Sequence, residues 1–439
     1  MRIIYLLFDC AVTCAVPMIW LFFGLPFGAL GSGILFATLF LYINVMPGIY
    51  TKVSTKFAVL AGGSDLLVTF ILSVCVQSAL LIYRIVTSCF TPELDVPYII
   101  ISVIVDFIIF WNGMIRCYVT SYQLGITLRV LAAVFSLIPP VNIIFLLIII
   151  VKTRQEYLFE RKYGAMEREK AAAHVCATRF PIMLVHGVFF RDTKAFNYWG
   201  RVPKAIERCG GTVLYGNQQS ALSVAQSASE LAAKIEQTVM QLGCGKVNII
   251  AHSKGGLDSR YAISLLGADK YVATLTTVCT PHRGCMFVEK MYDSISEPAR
   301  LKMAAAYNAA ARTVGDTSPD FLSAVGDLRE SACARMNAGT PDSPLVSYRS
   351  IGSYAKNSRG GKFPMNVSYL LVKKTDGAND GLVSVESMKW GENFRLVSPP
   401  GRRGITHADM IDLNRENIKG FDIRSFYIDL VSELKNQGY

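Results

Sequence analysis

The sequence predicts two parts of different class: an all-α membrane region of four or five helices, then an α/β domain built on a mostly parallel sheet. Three observations predict it. Charge is sparse as far as Val151: residues 1–151 hold six Lys/Arg and five Asp/Glu, and residues 152–439 hold the other 38 basic and 28 acidic side chains. Apolar runs crowd the first part, each close to the roughly 20 residues a helix needs to cross a bilayer. In the second part short apolar runs alternate with helical segments, the pattern of strands buried on both faces. The boundaries follow as 1–151 for the membrane region, 152–179 for a helical connecting segment and 180–439 for the α/β domain.

The apolar runs lie at 3–23, 28–47, 66–87, 97–115 and 130–151. The last, ending in Phe145-Leu-Leu-Ile-Ile-Ile-Val151 before Lys152, is the clearest span, and Pro139-Pro140 within it predicts a kink. An uncharged Gly/Pro stretch joins the first two runs and permits a hairpin. The N-terminal run reads as a span and not as a cleaved signal, because further spans follow it. Asp106 falls mid-span and Asp9 two turns into the first run, depths at which a charge is costly. Either they mark a proton relay or transport path, or each is protonated or bonded to a neighbouring helix. No deep counter-charge accompanies them, which favours the second reading.

Loop charges leave the orientation open. An inside N-terminus keeps five basic residues of the short segments inside, but an odd span count then puts Lys152, Arg154, Arg161, Lys162, Arg168 and Lys170 outside. The 11 cysteines show no CxxC pair or metal spacing, which argues against zinc. Scattered thiols fit a reducing compartment and favour the cytoplasmic face for the soluble domain. Residues 152–170 carry six basic and four acidic side chains at helical spacing, fitting a helix near lipid headgroups or a solvated connector. The net charge of +11 comes with no nucleic-acid motif.

In the soluble part Phe180–Val185, Thr212–Tyr215, Val247–Ala251, Val272–Val278, Leu345–Ile351 and Val367–Val372 are expected strands. Ala225–Leu242 and Leu257–Leu265 are expected helices. Residues 286–344 are helical in composition and lack a strand, so they form an insertion; over an active site it would act as a lid.

Lys246-Val-Asn-Ile-Ile-Ala-His-Ser-Lys-Gly-Gly-Leu257 carries the chemistry. An apolar run ends in Ala251-His-Ser253-Lys-Gly255 and a helix follows at once, which presents a serine on a tight strand-to-helix turn. The residues two before and two after the serine must be small, and here they are Ala251 and Gly255. A buried serine capping a helix is the plainer alternative. A nucleophile needs a base, an acid to orient that base and donors for the oxyanion. Of the histidines, His174 sits in the connecting segment, His186 follows the first strand, His252 adjoins the serine and points away, and His282 lies in Thr280-Pro-His-Arg-Gly284. His407, in a C-terminal loop before a helix, completes the order serine, aspartate, histidine and is the expected base. Asp376 and Asp380 compete as the acid in Lys374-Thr-Asp-Gly-Ala-Asn-Asp-Gly-Leu-Val383. The backbone N–H of Lys254 is one oxyanion donor; that of Val188, in Leu184-Val-His-Gly-Val188, is the other candidate.

Val185-His-Gly, Ala251-His-Ser-Lys-Gly-Gly, Thr280-Pro-His-Arg-Gly, Asn379-Asp-Gly-Leu-Val and His407-Ala-Asp together resemble bacterial triacylglycerol lipases of the α/β-hydrolase fold, nearest to the Pseudomonas/Burkholderia type. The resemblance runs from about Phe180 to the C-terminus. It implies an α/β-hydrolase domain, Ser253 as nucleophile, Asp380 as acid, His407 as base, Val188 and Lys254 as oxyanion donors, and structural roles for His282 and Asp376. It implies no organic cofactor. The family also binds calcium, and Asp409 matches one ligand position. No acid occurs from Ser343 to Thr375, where another ligand would lie, and Leu413 stands at a third position, so no metal is predicted. The multi-span region has no counterpart in the family. The expectation is a multi-pass protein of a bacterial cell membrane that cleaves lipid acyl esters, with phospholipase or general carboxylesterase activity as alternatives. A membrane transport or sensing protein with an inert hydrolase-like domain is the reading of another class.

Overall fold

The structure is a computed structural model of the 439-residue chain, and it describes residues 2–23, 29–46, 48, 53–188, 197–313, 315–398 and 401–439. The chain divides into two compact units, Met1–Met166 and Glu167–Tyr439. The division falls beyond Lys152, because the helix that begins at Val141 runs without a break through the charged stretch to Ala172.

The first unit is helical: α1 (Arg2–Phe23), α2 (Ala29–Val45), α3 (Thr55–Val86), α4 (Pro92–Thr120), α5 (Gly125–Val134) and α6 (Val141–Ala172). Three of these are long and apolar enough to cross a membrane, namely Arg2–Leu21 in α1, then α3 and α4; Gly33–Val45 and Gly125–Leu137 are shorter apolar helices. The Gly/Pro stretch expected to join α1 and α2 lies outside the described residues. The run at 130–151, the clearest span by composition, is not one helix. It breaks between Leu137 and Val141, because Pro140 offers no N–H to the helix and its ring disfavours helical geometry at the residue before it. Asp106 on α4 accepts a hydrogen bond from Ser73 on α3, and Asp65 is paired with Arg2 at 2.6 Å. The deep carboxyl at Asp106 thus has a partner on a neighbouring helix.

The second unit holds β1 (Ile182–Val185), α7 (Val202–Arg208), β2 (Val213–Tyr215), α8 (Val224–Leu242), β3 (Val247–His252), α9 (Lys254–Leu265), β4 (Val272–Val278), α10 (Met286–Ser294), α11 (Glu297–Thr313), α12 (Phe321–Gly326), α13 (Glu330–Gly339), β5 (Ser347–Ser353), α14 (Met365–Asp376), α15 (Val385–Met388), β6 (Phe394–Val397) and α16 (Ile423–Asn436). The six strands form one sheet in the order β2-β1-β3-β4-β5-β6, every pair parallel. Side chains alternate across it. Ile182, Leu184, Ile250, Val278 and Ile351 join a core with α7 and α16, while Met183, Val185, Ile249, Ala251 and Leu275 face α8 and α9. A sheet covered on both faces accounts for the near-continuous apolar runs at β1, β3 and β4, and the arrangement fits an α/β hydrolase.

Two expectations differ. Val367–Val372 is part of α14, with Tyr369 and Val372 buried and Val367, Leu370 and Leu371 outside; a short apolar run does not separate the two periods. The sixth strand is instead β6, a four-residue edge strand half exposed and too short to register as a run. The insertion at 286–344 comprises α10 to α13 and no strand among the described residues.

Candidate active site

Parallel pairing sets the site. Val185 of β1 lies opposite Ala251 of β3, and His252 opposite Val278 of β4. The residues that follow each strand, His186 to Val188, Ser253-Lys254 and Cys279 onward, therefore emerge side by side at the sheet's carboxyl edge, where open α/β sheets carry ligands. Ser253 has φ +56° and ψ −131°, a strained conformation for a residue with a side chain, and its N–H bonds the carbonyl of Val278 at 2.9 Å. Such strain costs about 1–3 kcal/mol and persists only where the surroundings impose it. Here they do. A Cβ on Gly255 would lie 2.3 Å from the carbonyl oxygen of His186, and one on Gly187 would lie 2.8 Å from Ser253 Cβ. The loop after β1 is thereby pressed against the serine turn.

His407 and Asp380 come together. His407 Nδ1 is 2.7 Å from Asp380 Oδ2, and its backbone N–H donates to the Asp380 carbonyl at 2.9 Å. A carboxylate only accepts, so Nδ1 carries the proton and Nε2 keeps a lone pair. Asp380 is fully buried; its Oδ1 accepts from the N–H groups of Leu382 and Val383 at 3.0 and 2.9 Å. The His407 ring packs 4.4 Å from the ring of His252, the residue before Ser253. Among the described residues no side-chain hydrogen bond joins Ser253 to His407, and such contacts are commonly loose before substrate binds.

The other candidates are occupied elsewhere. Asp376 accepts from the N–H groups of Met286 and Phe287 at 2.9 and 3.0 Å and so caps α10. His282 stacks on Trp390 and sits 2.9 Å from Thr277 Oγ1, with burial and then the Arg260 charge pushing it well below the usual histidine range. Burial, then His407, does the same to His252. Val188 and Lys254 lie where the register predicts, and Val188 packs with Leu257, Ala324, Leu328 and Cys333 under the helical insertion.

Two residues were missed in the sequence. Tyr198 accepts the Gly187 N–H at 3.1 Å and lies 2.7 Å from His252 Nδ1, so one hydroxyl ties the loop after β1 to the serine turn. Nothing in Asn-Tyr-Trp-Gly200 signals this. The side chain of Lys254, a residue singled out only for its backbone N–H, is 1% exposed and bonds Asp258 at 2.8 Å and Ser227 at 2.9 Å. An i, i+4 Lys–Asp pair at the start of a helix was the available signal.

His252, Cys279 and His407 offer three ligand atoms within 4.8 Å of one another. One atom of each has a partner, Tyr198, Ser353 and Asp380 respectively, and His252 Nε2 is buried with none among the described residues. The family's calcium does not fit the residues present. Both Asp409 oxygens face the Arg403 guanidinium, at 2.6 and 3.1 Å, and Oδ2 also accepts from Thr406 N and Oγ1. Glu416 is held by Arg403 and Lys362. A cation site of six to eight oxygens is not available where two cationic side chains already sit.

No protein-family model matches the chain. Over 191 residues it is 34% identical to a triacylglycerol lipase of Burkholderia plantarii, covering 40% of this chain and 52% of that protein. Over 185 residues it is 34% identical to one of Pseudarthrobacter phenanthrenivorans, covering 38% and 56%. The chain thus spans about half the length of these curated relatives. A solved Bacillus licheniformis lipase in its mature form aligns with TM-score 0.43 and 21% identity over 58% of this chain and 92% of that one. In sequence the chain is similar to bacterial triacylglycerol lipases over part of their length.

Three measurements check the site's framework. Lys254→Met leaves Asp258 buried without its cation and is expected to cost about 3–5 kcal/mol, largely recovered in Lys254→Met/Asp258→Leu. EDTA is expected to leave the unfolding midpoint unchanged, whereas Arg403→Ala lowers stability by about 1–3 kcal/mol by leaving Asp409 and Glu416 without their shared cation. Acidification is the third. His252 and His282 stay neutral when folded and take protons when unfolded, so their contribution is present above 6.5 and lost below it, at up to about 1.4 kcal/mol per pH unit each. Asp258 opposes them: burial, offset in part by Lys254, raises it from 3.8 to about 6, so its contribution is present below 3.8 and lost as pH rises through 6. Two imidazoles outweigh one carboxyl. Urea unfolding of the full chain in detergent, followed by tryptophan fluorescence at about pH 7, 6 and 5, should show falling stability.

Proposed function

We propose that the chain is a membrane-anchored serine hydrolase of lipid acyl esters, triacylglycerol being the leading substrate class. One observation carries it: the Asp380–His407 pair at 2.7 Å stands beside a serine held at φ +56° on the same sheet edge. Ser253 is the nucleophile. Nε2 of His407 takes the Ser253 Oγ proton as Oγ bonds to the acyl carbon, and Asp380 stabilises the imidazolium. The carbonyl oxygen becomes an oxyanion held by the N–H groups of Val188 and Lys254. His407 then protonates the departing alcohol oxygen as the ester bond breaks. Water, deprotonated by His407, attacks the acyl-enzyme, releasing a fatty acid and restoring Ser253. The residues need no cofactor for these steps.

The helices of the first unit supply the anchor. Three are long and apolar enough to span, and α2 with α5 or the apolar start of α6 would bring the total to four or five. In this reading residues 1–151 form the membrane region, 152–179 connect it to the hydrolase domain, and that domain faces the cytoplasm of a bacterial cell. The helical segment 286–344 serves as the lid: Ala324 and Leu328 of this segment lie against Val188 and Leu257.

Ser253→Ala is expected to abolish p-nitrophenyl ester hydrolysis in detergent, at least 10³-fold, with unfolding behaviour unchanged. A fluorophosphonate should label the parent chain and not the variant. Turnover retained in the variant would sink the assignment. A folded chain that never labels would favour the inert-domain reading, and a series of acylglycerols and phospholipids separates lipase from phospholipase.

A further inference from the structure

Helix α14 carries two apolar stripes, and only one has a place in the fold. Tyr369 and Val372 face inward, 5% and 0% exposed. At 100° per residue, Val367, Leu370 and Leu371 lie on the opposite face, and they are 49%, 57% and 48% exposed; Phe363, just before the helix, is 81% exposed. Within the helix, spacings of three and one place Val367, Leu370 and Leu371 along a single ridge, with Phe363 exposed just before it. Scattered apolar residues on a surface mean little, but a continuous exposed ridge marks an interaction site. The ridge is bracketed by cations. Lys362 precedes Phe363, and Lys373 and Lys374 end the helix; all three are exposed, Lys362 while also paired with Glu416. No acidic residue occurs between Lys362 and Thr375.

We infer that this ridge is a lipid-docking surface, which seats in the acyl boundary of a bilayer with its lysines among anionic headgroups. Apolar side chains on one face and lysines at the rim are what an interfacial helix requires. Bilayer is also the partner nearest to hand: β1 begins at Ile182, a short segment after the unit that contains the spanning-length helices. A tether of that length keeps the effective concentration of membrane high, so even a weak ridge stays engaged. The placement matters for chemistry. α14 ends at Asp376, and its exit loop delivers Asp380 to His407. A docked α14 therefore sets the acid–base pair close to the lipid surface from which an acyl ester would be drawn. The docking rests on the membrane-anchored reading, and its use for substrate uptake rests also on the hydrolase reading.

The test uses the full chain reconstituted in phosphatidylcholine vesicles containing phosphatidylglycerol. Leu370→Trp adds an indole to the ridge. Lipids brominated on the acyl chain should quench its fluorescence beyond the quenching seen in the parent chain. L370D/L371D should lower hydrolysis of a long-chain ester carried in the vesicle about tenfold, while turnover of water-soluble p-nitrophenyl acetate stays within about twofold of the parent. Absence of extra quenching overturns the docking surface. So does a concentration-dependent dimer of the parent that L370D/L371D dissolves, since the ridge would then be a protein interface. Quenching in a chain that hydrolyses neither ester would support the docking surface and reject the hydrolase reading.

Discussion

The site depends on how closely three backbones are allowed to approach at one end of the sheet. The serine turn after β3 fits between the loops after β1 and β4 only because a position such as Gly255 has no side chain: a Cβ there would stand 2.3 Å from a carbonyl oxygen. That crowding forces Ser253 to φ +56° and turns its side chain out of the helix it precedes. Everything else in the neighbourhood is arranged to hold the crowded geometry. The Val278 carbonyl takes the Ser253 N–H. Tyr198 bridges Gly187 to His252, and the buried Lys254–Asp258 pair pins the first turn of α9 to Ser227 on α8. A strained turn survives when its surroundings leave it no lower-energy alternative.

The helical insertion is fastened to the same framework by carboxylates. Asp376 caps α10, Asp316 accepts from Ser220 and Ala221 before α8, and Asp327 accepts the Val224 N–H at 2.6 Å. Each satisfies backbone donors that a helix start or a loop leaves open, and an anionic cap also suits a helix N-terminus. These bonds tie the start and the middle of the insertion. Its longest helix, α11, buries only Ala304 and Ala311, so the contacts that could loosen without exposing the core lie there.

The parts of the site legible in the sequence were those encoded by backbone demands. A strand, a serine and two glycines in that order permit few conformations, and the order of Ser253, Asp380 and His407 follows from sheet topology. Spacing left Asp380 and Asp376 open, because both sit in turn-forming Asp-Gly contexts; the family resemblance favoured Asp380, which contacts His407 while Asp376 caps α10. Side-chain burial was less legible still. The i, i+4 spacing of Lys254 and Asp258 was there to be read, but the burial of the pair against Ser227, remote in sequence, was not. In the first unit, composition suggested one span at 130–151 where Pro139-Pro140 divides two helices. Hydropathy sums over residues and does not weigh a missing hydrogen bond.

The His252 and His407 rings pack at a tilt, 4.4 Å apart, so a positive charge on one opposes a positive charge on the other in an interior of low dielectric. The fold resolves the competition by partner type. His252 meets the Tyr198 phenol, which brings no compensating charge, and burial and its neighbour hold it well below its usual range. His407 instead meets the buried Asp380 carboxyl group at 2.7 Å. Burial and the neighbouring ring keep His252 neutral, and the Tyr198 hydroxyl bonded to it also holds the loop that carries Val188.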